Sequence, residues 1–232
     1  MKKIKKGKFL IAFVFAILMC TANIFAAPEK DKEGATLDAD TVEYDMKTGQ
    51  AKAEGNVLMT RGLTKLTGKY AEYNLNTKVG TVEGNVIGVR EKMRITCDKL
   101  RSEGPEHMFA TGNVKGREED KTFEGDYVEY FPEQNDYVKI PGKGKITSKD
   151  GVFTANMMEG WLKDEHYVGV GNAHLISPPN DLEGGGDRVD YFGKEEGKAI
   201  LTGNAWAFQD NHMVRGNKIT IYLAKDGKAK IR

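Results

Sequence analysis

The sequence predicts an all-β protein: one continuous antiparallel sheet, built from repeats and bent at a constant level. Three observations predict it. A Gly-Asn mark recurs at Gly55, Gly84, Gly112, Gly171 and Gly203, with Gly142 in the fourth slot, at intervals of 29, 28, 30, 29 and 32 residues. Between the marks, apolar and polar residues alternate with period two, the pattern of a strand with one buried face. Beyond the first 27 residues no helical periodicity appears.

A fixed period of this size marks an array of one supersecondary unit. Each unit reads as two strands. The first copy runs from Asp40-Thr41-Val42-Glu43-Tyr44 through a turn at 45–49 to Gly49–Val57; the sixth runs from Asp187-Arg188-Val189-Asp190-Tyr191 to Ala199–Ala205. Turns are rich in Asp, Asn, Lys and Gly, as in 45–49 and 74–78. Two strands per unit over six to seven units give roughly 13–16 strands. Glycine inside a strand marks a bulge, a bend or a close backbone approach. A Gly-Asn pair can also open a tight turn. Here apolar residues continue directly past it, as in Val57-Leu58-Met59 and Ala205-Trp206-Ala207-Phe208, so a bend is the better reading. Repeated at one level, it folds the sheet into a V.

Strand side chains alternate between faces. The residues two before each Gly (Ala53, Val82, Ala110, Gly169, Leu201) and two after it (Val57, Val86, Val114, Ala173, Ala205) therefore share one small-to-medium apolar face. Preceding strands supply matching inward pairs: Val42 and Tyr44, Ala71 and Tyr73, Val128 and Tyr130, Val189 and Tyr191. Leu37 and Met59 extend the same stripe. An ordinary core between two sheet layers explains it; so does an end-open slot for acyl chains, which gain about 0.8 kcal/mol per buried methylene. The candidate site residues are thus Leu37, Val42, Tyr44, Val57, Met59, Tyr73, Val82, Val86, Val128, Tyr130, Val189, Tyr191, Leu201 and Ala205.

The N-terminus reads as an export signal. Lys2, Lys3, Lys5, Lys6 and Lys8 precede an apolar run from Phe9 to Cys20 and small residues to Ala27, the order of a secretory leader. Cleavage is expected after Ala26, giving a signal over 1–26, a flexible lead-in over 27–35 and one domain over 36–232. Lipidation at Cys20 is disfavoured by the bulky Met19. Phe9–Ala27 is also close to the ~20 residues that span a bilayer, so an uncleaved inner-membrane anchor is the alternative. Of 35 basic and 34 acidic residues, the leader takes five lysines. The remainder, 30 basic against 34 acidic, lacks the basic excess by which proteins neutralise nucleic-acid phosphates. Cys97 is then the lone cysteine, so no internal disulfide forms.

No catalytic constellation appears. His107, His166, His174 and His212 are scattered without metal-ligand spacing. Gly169-Val170-Gly171 lacks the third glycine and the strand-turn-helix setting of a dinucleotide site. Gly184-Gly185-Gly186 reads as a flexible turn. The sequence predicts a binding protein without catalytic activity, metal or cofactor.

The repeat resembles that of the OstA-like family of lipopolysaccharide-transport proteins, which includes LptA, the anchored LptC and the N-terminal domain of LptD. The segments carrying the resemblance are Gly186-Asp187-Arg188-Val189-Asp190-Tyr191, Leu201-Thr202-Gly203-Asn204-Ala205 and Gly216-Asn217-Lys218-Ile219-Thr220, with residues 36–60 similar to an N-terminal repeat. The resemblance covers most of 36–232. It implies a twisted antiparallel β-jellyroll with a V-shaped open interior (a β-taco) that holds the lipid A chains of lipopolysaccharide. It also implies a periplasmic location and end-to-end self-association through sheet edges. An LptC-like protein would meet the N-terminal edge near 36–46, and an LptD-like outer-membrane protein the C-terminal edge near 215–224. The chain ends at Ile231-Arg232, just after the last expected strand, so that edge is expected to lack a blunting tail. The alternatives are an LptC-like anchored subunit of the same system and a structural exported β-array without a lipid ligand.

Overall fold

The computed structural model describes residues 35–231, except 62, 105, 132, 150, 162, 163, 165, 193–196 and 224–228. The expected leader lies outside the described residues, as does the lead-in except for Ala35, which begins the first strand. Short strands β1 (Ala35–Asp38) and β2 (Thr41–Asp45) open the chain. Six long strands follow: β3 (Gln50–Arg61), β4 (Thr64–Asn74), β5 (Val79–Arg90), β6 (Met93–Glu103), β7 (Met108–Glu118) and β8 (Lys121–Phe131). Four short ones come next: β9 (Tyr137–Ile140), β10 (Gly144–Ser148), β11 (Gly151–Ala155) and β12 (Met157–Trp161). The chain then returns to long strands, β13 (His166–Ser177), β14 (Leu182–Phe192), β15 (Lys198–Gln209) and β16 (His212–Leu223), and finishes with β17 (Ala229–Ile231). A 3-10 turn at Pro178–Asn180 joins β13 to β14. No helix among the described residues is long and apolar enough to cross a membrane.

Every pairing is antiparallel, and all seventeen strands belong to one sheet. Each long strand lies beside the strands that precede and follow it, as a chain of hairpins dictates. The register slips at the Gly-Asn level of each pair: Glu54 faces Tyr70 while Val57 faces Gly68, so two residues on β3 oppose one on β4. Equivalent slips recur at β5, β7, β13 and β15. A two-against-one bulge bends its strand. Stacked at one height, the bulges crease the sheet along a fold line and divide it into two walls. One wall holds β2 and the strand halves before each Gly-Asn; the other holds β1 and the halves after it. Three strands are severed at the crease, leaving β1 with β2, β9 with β10, and β11 with β12 as half-strands. Joining each pair across its break leaves fourteen, inside the expected range. The chain is thus an all-β, twisted antiparallel jellyroll of the β-taco type.

The walls meet on one apolar interior. Leu66, Val82, Val86, Val128, Ala199 and Leu201 are fully buried there, and each such Val or Leu stabilises the fold by about 1.5–3 kcal/mol. On the outer face of the first wall, a row of rings crosses two short strands of that wall, β9 and β12. Phe131 lies 5.7 Å from Tyr137, Tyr137 5.0 Å from Trp161, Trp161 5.2 Å from His166 and His166 4.5 Å from Phe192. Cross-strand aromatic pairs of this kind add about 0.5–1.5 kcal/mol each, and they reinforce the wall where its strands are shortest.

The expectation of an unblunted C-terminal edge is corrected. The final residues turn back as β17, which pairs with β16 through Ile221 and Ile231, Tyr222 and Lys230, and Leu223 and Ala229. Backbone groups at the end of a sheet attract pairing, and the chain supplies that pairing over one wall.

Cys97 is buried on the inner face, and burial pushes its thiol up to about 12. Because the thiolate is the reactive form, an aromatic disulfide reagent at pH 8 is expected to leave the folded protein unmodified and to titrate one thiol in urea. Rapid reaction of the native protein would contradict the burial.

Candidate functional site: the interior and its two open ends

The crease is built by backbone conformation. Gly55, Gly84, Gly112, Gly171 and Gly203 all have φ between +69° and +84°, and the Asn after each has φ between +47° and +52°. Glycine and asparagine are the residues that adopt left-handed backbone most readily, which gives the Gly-Asn mark its physical reason. In three of the five units the Asn amide also clamps the neighbouring strand. Asn56 donates to Asp40 at 3.0 and 3.2 Å, Asn113 to Asp98 at 3.3 Å, and Asn204 to Asp187 at 3.0 and 3.3 Å.

The candidate residues fall into two groups. Val57, Met59, Tyr73, Val82, Val86, Val128, Tyr130, Val189, Leu201 and Ala205 pack together between the walls, all buried. Leu37 and Tyr191 are partly buried against them. Val42 and Tyr44 depart from the expected burial: they are 47 % and 51 % exposed. Their facing is nevertheless as expected, since Val42 stands opposite the buried Ala53 and Tyr44 opposite Ala51. They are exposed because β2 has a neighbour on one side only, so nothing covers the mouth of the V. At the other end Val214, opposite the buried Ala207, is 43 % exposed for the same reason. The apolar interior therefore runs the length of the sheet and opens at both ends.

On the second wall, sequence reasoning found Val57, Met59, Val86 and Ala205 but missed inner residues of the strands beside them, among them Leu66, Ile95, Phe123, Ile146 and Phe153. In strands without Gly-Asn the inward phase jumps by three across the crease, from the half-buried Gly68 to the buried Ala71 and from Cys97 to Leu100. A strict period of two loses phase there. Restarting the alternation opposite each Gly-Asn would have recovered them.

Three tyrosines, Tyr73 and Tyr130 inside and Tyr137 on the outer face, hold their protons above the ordinary range. Burial pushes the Tyr73 hydroxyl up to about 12. Burial raises Tyr130 further, helped by its 2.6 Å hydrogen bond to Asp136. Tyr137 rises through burial and a 2.9 Å bond to Glu159. The folded state then holds protons that the unfolded chain releases near pH 10. Stability is therefore fully present below about pH 10 and falls as pH rises above it. Urea midpoints measured from pH 8 to 12 are expected to decline above 10, less steeply for Tyr73→Phe; a flat profile would contradict this.

At the N-terminal end, the outer edge of β1 and β2 presents Asp38, Asp40, Glu43 and Asp45. At the C-terminal end, β16 pairs only with β15 up to Thr220 and presents His212, Arg215 and Lys218 there, all exposed. The two ends thus differ in charge as well as in covering.

Two family models match parts of this chain. The family model described as "LptA/(LptD N-terminal domain) LPS transport protein" matches residues 66–166. A second, described as "Lipopolysaccharide-assembly, LptC-related", matches residues 17–91. No curated protein matches the chain. Among solved structures, LptH, the LptA-homologous periplasmic component of the lipopolysaccharide transport device from Pseudomonas aeruginosa, is 18 % identical. The match covers 62 % of this chain and 87 % of that one, with a TM-score of 0.31. The two family models overlap and together span residues 17–166, and over that stretch the chain is similar to families described as lipopolysaccharide-transport and lipopolysaccharide-assembly proteins.

Proposed function

We propose that the chain is a periplasmic carrier that takes the acyl chains of lipid A between its walls and passes lipopolysaccharide from the inner towards the outer membrane. One observation carries the reading: a single apolar interior runs between two walls and opens at both ends beside backbone edges. Acyl chains gain about 0.8 kcal/mol per buried methylene, and an exposed edge is the substrate of strand addition. On this reading the acidic β1–β2 edge receives an LptC-like partner, the basic half of β16 meets an LptD-like one, and copies join end to end. The opposite charges of the two ends make that joining salt-sensitive.

A photo-crosslinking residue placed at Tyr44, Tyr130 or Tyr191 in living cells tests it. A lipopolysaccharide adduct is expected first from the half-exposed Tyr44 and the partly buried Tyr191. No adduct from any of the three sinks the carrier reading and leaves a structural β-array. An LptC-like anchored subunit is favoured by one observation: the LptC-related match begins at residue 17, inside the apolar leader. N-terminal sequencing decides between them, since an intact Met1 identifies the anchor and a start near Ala27 the carrier.

A further inference from the structure

The Asn–Asp clamps that close the crease are interrupted at its centre. The fourth slot reads Pro141-Gly142-Lys143 in place of Gly-Asn. Proline has no N–H for the ladder, β9 and β10 part there, and β11 and β12 part at Asn156. The crease opens at this point into a cavity of about 530 Å³, within the range of small-ligand sites, about 300–1,000 Å³. Its floor is small and buried: Val114, Gly144 and Ala155. Lys115, Lys143 and Lys145 stand around it, with Asn156 and Asn172 beyond. Glu124 and Asp126 lie between them on β8.

None of these seven side chains makes a hydrogen bond or ion pair with another described residue. Elsewhere on the sheet Lys99 pairs with Glu83 and Lys92 with Glu119, both at 2.6 Å. Lys115, Glu124 and Lys145 stand in cross-strand register and still do not pair. The replacement of Asn by Lys143 thus removes a clamp and leaves a ring of uncommitted donors and acceptors.

We propose that this cavity binds a phosphorylated sugar. Three ammonium groups against two carboxylates favour an anion, and lysine takes phosphate as a point-charge donor. Asn amides and the Glu124 and Asp126 carboxylates offer the mixed donors and acceptors that vicinal hydroxyls require. The small apolar floor admits the C–H face of a sugar ring. No aromatic side chain lines the cavity, so a nucleic-acid base finds nothing to stack on. The site lies on the crease, is lined by none of the candidate lipid-contact residues, and stands independently of the lipid reading.

Calorimetric titration of the purified protein at low salt, with glucose 6-phosphate, glucose and inorganic phosphate as probes, tests the proposal. Saturable binding of glucose 6-phosphate, at least tenfold tighter than of the other two, is expected. The double variant Lys143→Gln/Lys145→Gln is expected to lose at least tenfold in affinity while keeping its urea midpoint. Asn172→Asp, which keeps a side chain tolerant of the φ of 48° there, adds a repelling charge and is expected to weaken binding independently. Absence of saturable binding, equal affinity for free phosphate, or binding that both variants retain overturns the site.

Discussion

Replacing Tyr130 with alanine is expected to cost about 3–5 kcal/mol of folding stability, the range for removing a large aromatic side chain from a packed core. Tyr130 is fully buried, and its cross-strand neighbours Met108 and Val138 are buried too. It sits where β8 hands over to two half-strands, so there is little continuous backbone nearby to relax into the void. Its hydroxyl donates to Asp136, which is only 9 % exposed, at 2.6 Å. Tyr130→Phe separates the two contributions. It keeps the ring and removes a hydrogen bond to a carboxylate in a buried setting, with an expected cost of about 1–3 kcal/mol. Urea denaturation monitored by circular dichroism reads both, as a fall in midpoint at constant slope. Equal stability of Tyr130→Ala and the parent would mean that the walls do not pack as described.

The second large effect is expected at the crease. Gly112 has φ +76°, and a Cβ added there collides with the Asp98 side chain; at Gly203 φ is +69° and the collision is with Asp187. Alanine at either position adopts a disfavoured backbone, at about 1–3 kcal/mol, and drives the carboxylate from its clamp with Asn113 or Asn204. Gly112→Ala and Gly203→Ala are each expected to cost about 2–4 kcal/mol. Gly142 is the internal control. Its added Cβ meets nothing within 4 Å, and Gly142→Ala is expected to stay within about 0.5 kcal/mol of the parent. Comparable losses at Gly112 and Gly142 would show that the crease is not held by left-handed glycine.

Much of this was legible in the sequence because it depends on local periodicity. Strand alternation follows from the pleat, and the recurring Gly-Asn follows from the left-handed backbone of a bulge. Both leave marks every 28 to 32 residues. What escaped depends on neighbours in space. Val42 and Tyr44 carry the same inward pattern as Val128 and Tyr130, and only their place at the end of the sheet exposes them. The inner phase of β4 and β6 is set by the bulge on the adjacent strand, not by their own residues. Pro141 signals a break in the ladder by itself, but the matching break at Asn156 is imposed by the partner strands. The return of the chain as β17 escaped because its three residues carry too short a pattern to mark a strand.

Because each strand touches only its neighbours in the hairpin series, the sheet is a quasi-one-dimensional array, and its span is set by how many units it has. Adjacent strands are about 4.7–4.9 Å apart, so every two-strand unit lengthens the molecule by roughly 10 Å without altering either end. Removing the 28 residues from Gly84 to Thr111 would rejoin Glu83 to Gly112 and return the next copy of the same bulge to the same slot. The protein is in that sense a ruler graduated in hairpins: its length can be changed by whole graduations while the two tips stay the same.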